Sequence, residues 1–443
     1  MTETELGSRG FAWSTALRRA TLTSPAGPDD SSSNATGRVR AGRYEFLDAL
    51  RGIAALAVVL EHFSAPLWPA YGKYLGDHVN PGVVGVFVFF IVSGFIIPAS
   101  MERGRSLGAF WVGRFFRLFP LFWVIMVVAV LLHLVGMYGG PPGFLTEPLW
   151  NLVTNATMAH YFITGHDSQI LVVAWTLSYE LIFYALVSLL FLGRLNRRSV
   201  PVAILAIGAI LAAALFLTPA LLNGPDSDLT TRLAVLAATA VAAAFFAWRA
   251  PTRRAATVAV LIAALAIPLA LNQPGPSGYS AAILATMFVG TVLYRMTAGD
   301  TPAWLGWAVF GLALCMVISF VLIPALGGDP AAEATQLGLK GPALSIIVAY
   351  ALFAAALLLR RHSFPRPLLF LGRISFSLYL VHGLVTNFVP KWPTSTFGVL
   401  APWLTWTTWL IVAMALSVLT YNKIEKPFLA RGHRVMAKMD ARG

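Results

Sequence analysis

Runs of about twenty apolar residues, separated by short polar stretches, recur along most of this chain. A helix rises about 1.5 Å per residue and a bilayer's hydrocarbon core is about 30 Å thick, so each run is long enough to span it. The pattern predicts an all-α, polytopic helical membrane protein of about 10–12 transmembrane helices around an intramembrane catalytic cavity. The predicted segments lie near 47–67, 82–101, 118–137, 170–192, 200–222, 230–248, 255–271, 280–296, 303–325, 342–359, 368–389 and 401–420. Polar interruptions inside these runs carry the information. Arg51 and His62 share the first segment. Eleven residues are close to three helical turns, so both side chains leave one face, about 16 Å apart along the axis. An ionisable group in hydrocarbon is costly and usually faces a partner or a polar cavity.

Composition agrees with the pattern. The 443 residues are 58% hydrophobic and 12% charged, against roughly 25% charged in a soluble domain. Mean hydropathy is +0.73. One cysteine, Cys315, excludes disulfides and a cysteine metal cluster. The net charge of +13 is explained by topology. With twelve segments, one side of the membrane holds 26 Lys and Arg and the other holds Lys73, Lys340 and Lys391. The positive-inside rule then places both termini in the cytoplasm of an inner or plasma membrane protein, with little charge left to imply nucleic acid. Residues 1–43 are polar, show no signal peptide and are expected to be a disordered cytoplasmic tail. Residues 429–443 are expected to be a basic cytoplasmic tail.

Several constellations could carry chemistry. Asp48 lies within helical pairing reach of Arg51. His62 could take a proton from a hydroxyl near neutral pH. Glu61 leaves the helix about 100° from His62, so it is expected to face another helix rather than the imidazole. The plainer reading is an Arg–Asp topology anchor with an interfacial histidine. Ser93-Gly94 would admit a close helix, and Pro98 would disrupt the ladder beyond it. Arg114 and Arg117 share a face among aromatics at the expected membrane surface, which suits either a phosphate-bearing ligand or lipid headgroups. Trp175 begins a segment in which Glu180 lies deep among apolar residues, as a substrate ligand, a partner for a cation or a structural hydrogen-bond group. Tyr379 and His382 are one turn apart, and Glu425 precedes Lys426-Pro427, which is expected to close the last helix. Residues 149–163 suggest one short interfacial or re-entrant helix. His160 and His166-Asp167 have no spacing typical of a metal site, and no P-loop, GxSxG, HExxH or dinucleotide motif occurs in a suitable context.

Taken in order, these pieces resemble the membrane acyltransferase 3 family. They are Arg51 with His62 eleven residues on, the run Phe90 to Phe95, Arg114-Phe115-Phe116-Arg117, Trp175 to Glu180, Ser375 to His382, and Glu425-Lys426-Pro427. The resemblance runs from about Tyr44 to Phe428 and defines the expected domain, 44–428. It implies transfer of an acyl group, with acetyl expected, from cytoplasmic acyl-CoA to a hydroxyl of a glycan, glycolipid or glycosylated metabolite, without a metal. It implies a catalytic His62 with Arg51 as its motif partner. Glu61 is grouped with them. Arg114, Arg117 and Ser93 are assigned to the donor, and Asp48, Trp175, Glu180, Tyr379, His382 and Glu425 to substrate. Two departures stand out. The family core has about ten helices rather than twelve, and no second extracytoplasmic domain is expected after Glu425. Residues 200–340 carry little of the motif and are expected to shape acceptor choice. Twelve spans with intramembrane charges also suit a transporter or flippase of a polar lipid-linked glycan.

Overall fold

The computed structural model describes residues 45–103, 106–139, 148–163, 169–216, 279–326 and 330–441, with scattered positions between 234 and 257. The expected tail at 1–43 and His166-Asp167 lie outside the described residues, and the segments predicted at 230–248 and 255–271 largely do. Every regular element among the described residues is a helix, with no strand among them. The chain order is α1 (Glu45–Ser64), α2 (Pro69–Asp77), α3 (Pro81–Arg103), α4 (Leu107–Leu134), α5 (Pro148–Ala156), α6 (His160–Ile163), a 3₁₀ turn (Val172–Ala174) and α7 (Trp175–Leu192). Then come α8 (Ser199–Phe216), α9 (Tyr279–Ala298), α10 (Ala303–Leu326), α11 (Pro330–Leu358), α12 (Arg366–Phe388), α13 (Thr394–Phe397), α14 (Ala401–Thr420), a π turn (Tyr421–Glu425) and α15 (Lys426–Asp440). The other ten predicted segments each coincide with one of these helices.

Six stretches among the described residues are long and apolar enough to cross a membrane. The first helix, α1, is more polar than these, carrying Glu45, Asp48, Arg51 and Glu61. Its other face is apolar, and Phe46, Ala55, Val59 and Phe63 are buried between α3 and α12. Two glycines bring α1 and α12 together. A Cβ on Gly52 would lie 2.6 Å from the Leu368 carbonyl, and one on Gly372 would strike the Asp48 carbonyl. Gly94 does the same for α3 against Met287 of α9, as the Ser93-Gly94 pair predicts.

Three local expectations need correction. The helix predicted from 118 begins at Leu107, where the Ser106 hydroxyl accepts from the Ala109 N–H at 3.1 Å. Arg114 and Arg117 therefore sit in the second and third turns of α4. Pro98 lies inside α3, which runs on to Arg103. Residues 149–163 form two helices, parted at Met158 with φ +58°, whose carbonyl accepts from Ser178 Oγ at 2.6 Å. Lys426-Pro427 does not close the last helix. Pro427 occupies the first turn of α15, where its missing N–H costs nothing, and the stretch expected to be a tail is helical to Asp440.

Candidate active site

The site grows from one face of α1. Its apolar residues pack inward, and the remaining stripe presents Arg51 at one end and His62 at the other. His62 Nδ1 lies 2.9 Å from the Val58 carbonyl and 2.8 Å from Glu61 Oε2. Both neighbours are acceptors once the carboxylate is ionised, so in the neutral ring Nδ1 carries the proton and Nε2 keeps its lone pair. The expectation that Glu61 turns away from the imidazole is thus wrong. The 100° step fixes where Cβ leaves the helix, but three further torsions swing the carboxylate back.

Two cavities adjoin along this stripe, and a third lies beyond Arg114 and Arg117. The first, about 180 Å³, is lined by Glu61, His62, Asn80, Trp175 and Tyr379 among others. The second, about 140 Å³, holds Arg51, Ser93, Arg114, Arg117, Glu180 and Tyr379 in walls otherwise built largely from Val, Ile, Leu and Phe. Val86 and Tyr379 belong to both, so the two spaces meet at these side chains. There the Tyr379 hydroxyl donates to the Val173 carbonyl at 2.9 Å and shares a 2.8 Å hydrogen bond with Thr176 Oγ1. The third, about 390 Å³, lies between α4 and α15 and again includes Arg114 and Arg117.

The three arginines come from α1 and α4, yet they line one space. Arg114 donates to Ser100 Oγ at 2.8 Å and stands over the rings of Phe110 and Tyr184, 5.4 and 5.7 Å away. Among the described residues, none of the three has a carboxylate oxygen within 4.0 Å, so Asp48 does not form the ion pair with Arg51 that its spacing suggests. Such guanidiniums can receive an anionic ligand without first breaking a salt bridge.

The remaining candidates divide. Trp175 and Tyr379 stand beside His62 as expected. Glu180 does not. Five residues further along α7 it enters the arginine cavity, where it accepts a hydrogen bond from Tyr184. His382 lines none of the three cavities. It is fully buried behind His62, with ring centroids 5.0 Å apart and planes at 75°, and its Nδ1 bonds the Leu378 carbonyl at 3.1 Å. Glu425, 4% exposed, accepts from Ser377 Oγ at 2.7 Å and also lies off the cavities, as does the half-buried Asp48. None of these three lines any of the three cavities. Asn80 was not anticipated. Its Oδ1 caps α3 by accepting from the Val83 N–H at 3.1 Å, and Asn-Pro before an apolar run is the signal that could have marked it. Among the described residues, no three His, Cys, Asp or Glu side chains cluster as a metal site would require.

Comparison with known proteins points the chain to one family. A model of the acyltransferase domain of the acyltransferase 3 family covers residues 44–271. The chain is 26% identical over 412 residues to the acyltransferase MdmB of Streptomyces mycarofaciens, covering 88% of this chain and 92% of that one. It is 25% identical to the exopolysaccharide production protein ExoZ of Rhizobium meliloti, over 83% and 96% of the two chains. A shorter stretch, 27% of this chain and 17% of the relative, is 29% identical to the peptidoglycan O-acetyltransferase OatA of Listeria monocytogenes. No solved structure matches. With the family's domain accounting for more than half of its length, this all-helical, multi-pass membrane protein belongs to the acyltransferase 3 family.

Proposed function

We propose that the protein moves an acyl group, in the first instance acetyl, from acyl-CoA to a hydroxyl of a sugar, glycolipid or glycosylated metabolite. The observation that carries this reading is the stripe on α1. An imidazole whose Nε2 is free to accept a proton stands at one end of adjoining cavities, and three guanidiniums with no ion pair among the described residues stand at the other. A phosphate-rich donor suits the arginine end, because guanidinium binds phosphate oxygens in a fork. The thioester would then reach His62 past Tyr379. The names of the exopolysaccharide and peptidoglycan relatives support a sugar hydroxyl as acceptor. The lysine and arginine asymmetry supports a cytoplasmic arginine end and cytoplasmic termini.

In this reading His62 Nε2 removes the hydroxyl proton as the oxygen attacks the thioester carbonyl. The tetrahedral adduct collapses, the carbon–sulfur bond breaks, and the thiolate takes the proton back from the imidazolium. Glu61 holds Nδ1–H throughout and stabilises the transient cation, as an orienting carboxylate does in a catalytic triad. Arg51, Arg114, Arg117 and Ser93 hold the donor, while Trp175 and Asn80 face the acceptor.

The test is the purified full-length protein in nanodiscs with acetyl-CoA and glycans from its own host. Acyl transfer that vanishes in His62→Ala, together with thermal stabilisation by acetyl-CoA, is the expected result. A substrate-translocating protein that neither binds acetyl-CoA nor transfers its acyl group would overturn the reading in favour of transport.

A further inference from the structure

The reading above assigns the donor's phosphates to the arginines but leaves its adenosine without a place. The space between α4 and α15 is the candidate. It holds about 390 Å³, within the roughly 300–1,000 Å³ of small-molecule pockets. It shares Arg114 and Arg117 with the central cavity, so a ligand there would reach the same cations from the other side. The Arg114 Nε is buried with no hydrogen-bond partner.

The far wall is the new element. Leu429, Gly432, His433, Met436 and Ala437 of α15 face Ala109, Phe110, Gly113, Arg114 and Arg117 of α4, with Ser100 of α3 at the side. The wall is held by close packing rather than by charge. A Cβ on Gly432 would lie 2.8 Å from Phe116 Cβ, and one on Gly113 would lie 3.0 Å from Met436 Sδ. Phe116 and Phe428 stack with centroids 6.4 Å apart. Around this seam α15 carries Lys426, Arg431, Arg434 and Lys438 and ends in one acid, Asp440. The surroundings are therefore strongly cationic, and the polar side chains on the lining are Arg114, Arg117, Ser100 and His433. A phosphate ester on a flat heterocycle fits this lining. Guanidiniums and an imidazole N–H serve its oxygens, and Phe110, Leu429 and Met436 serve its ring.

We infer that α15 forms the outer wall of a nucleotide subsite, in which the phosphoadenosine end of acyl-CoA lies between α4 and α15 and contacts His433. This rests on acyl-CoA being the donor. An anionic lipid headgroup offers similar phosphate chemistry, and the test separates the two.

Adenosine 3′,5′-bisphosphate, the nucleotide end without the thioester arm, should inhibit the wild-type protein competitively against acetyl-CoA. His433→Ala removes a contact, and Ala437→Trp fills the space. Each should raise that inhibition constant about ten-fold or more, and to the same degree in nanodiscs of phosphatidylcholine or of phosphatidylglycerol. Absence of competition in a wild-type protein that does use acetyl-CoA would overturn the subsite alone. So would inhibition constants unchanged in both variants, or competition that phosphatidylglycerol abolishes, which would assign the space to lipid. A wild-type protein unable to use acetyl-CoA would overturn both readings.

Discussion

The two ends of α1 solve opposite problems. At the His62 end the protein satisfies its own polar groups: Glu61 and Val58 hold Nδ1, and Val173 and Thr176 hold the Tyr379 hydroxyl. At the Arg51 end it leaves their charge open, because Arg51, Arg114 and Arg117 face one cavity with no ion pair among the described residues. A group that performs a proton transfer must be oriented before substrate arrives. A group that binds a charged donor gains by keeping its valence free until the donor comes. The contrast predicts that damage to one end appears in turnover and damage to the other in donor affinity.

The sharpest break is His62→Ala, expected to lower kcat by about 10³-fold, within the range for loss of a general base. Retained turnover in the purified variant would place the chemistry elsewhere. Next is the double variant Arg114→Ala, Arg117→Ala. Loss of one hydrogen bond to a charged group costs about 1.5–3 kcal/mol, so KM for acetyl-CoA should rise at least ten-fold, and more if the two losses add. Should kcat fall instead with KM fixed, the arginines belong to the chemical step and the division of labour fails. Glu61→Gln preserves size but not charge, and about a ten-fold fall in kcat with little change in KM is expected, in line with loss of an orienting partner. The smallest effect belongs to Ser377→Ala, which strips the 2.7 Å hydrogen bond from Glu425. About 1 kcal/mol of stability should go, read as a lowered thermal midpoint, with donor affinity little altered. A large change in donor affinity would make Glu425 part of the binding surface.

The sequence revealed what one helix controls alone. The eleven-residue spacing put Arg51 and His62 on one stripe, and both open into cavities on that stripe. Apolar run length located ten helices. It missed what depends on torsions beyond Cβ or on chain distant in sequence. Glu61 turns back to its neighbour through rotatable bonds that helical geometry does not constrain. His382 and His62 are 320 positions apart, so no local pattern could tell that one ring stands behind the other rather than in the cavity. Glu180 was recognised as a buried carboxylate, but only the packing of α7 decided that it joins the arginines. Two misses were legible in retrospect. Ser106 before an apolar run is an ordinary helix start, and proline in the first turn of α15 begins a helix as readily as it follows one.

The glycine crossing of α1 and α12 sets the mechanical tolerance of the whole arrangement. Gly52 and Gly372 touch the opposite backbone, and ten residues further along each helix stand His62 and His382. The two helices therefore run parallel from a common fulcrum, with equal lever arms of about 15 Å. On such an arm a tilt of about 4° at the crossing displaces an imidazole by about 1 Å, a misplacement that can cost about 10²-fold in rate. Even a methyl group added far from the reacting atoms, at either glycine, would thus put the base out of alignment.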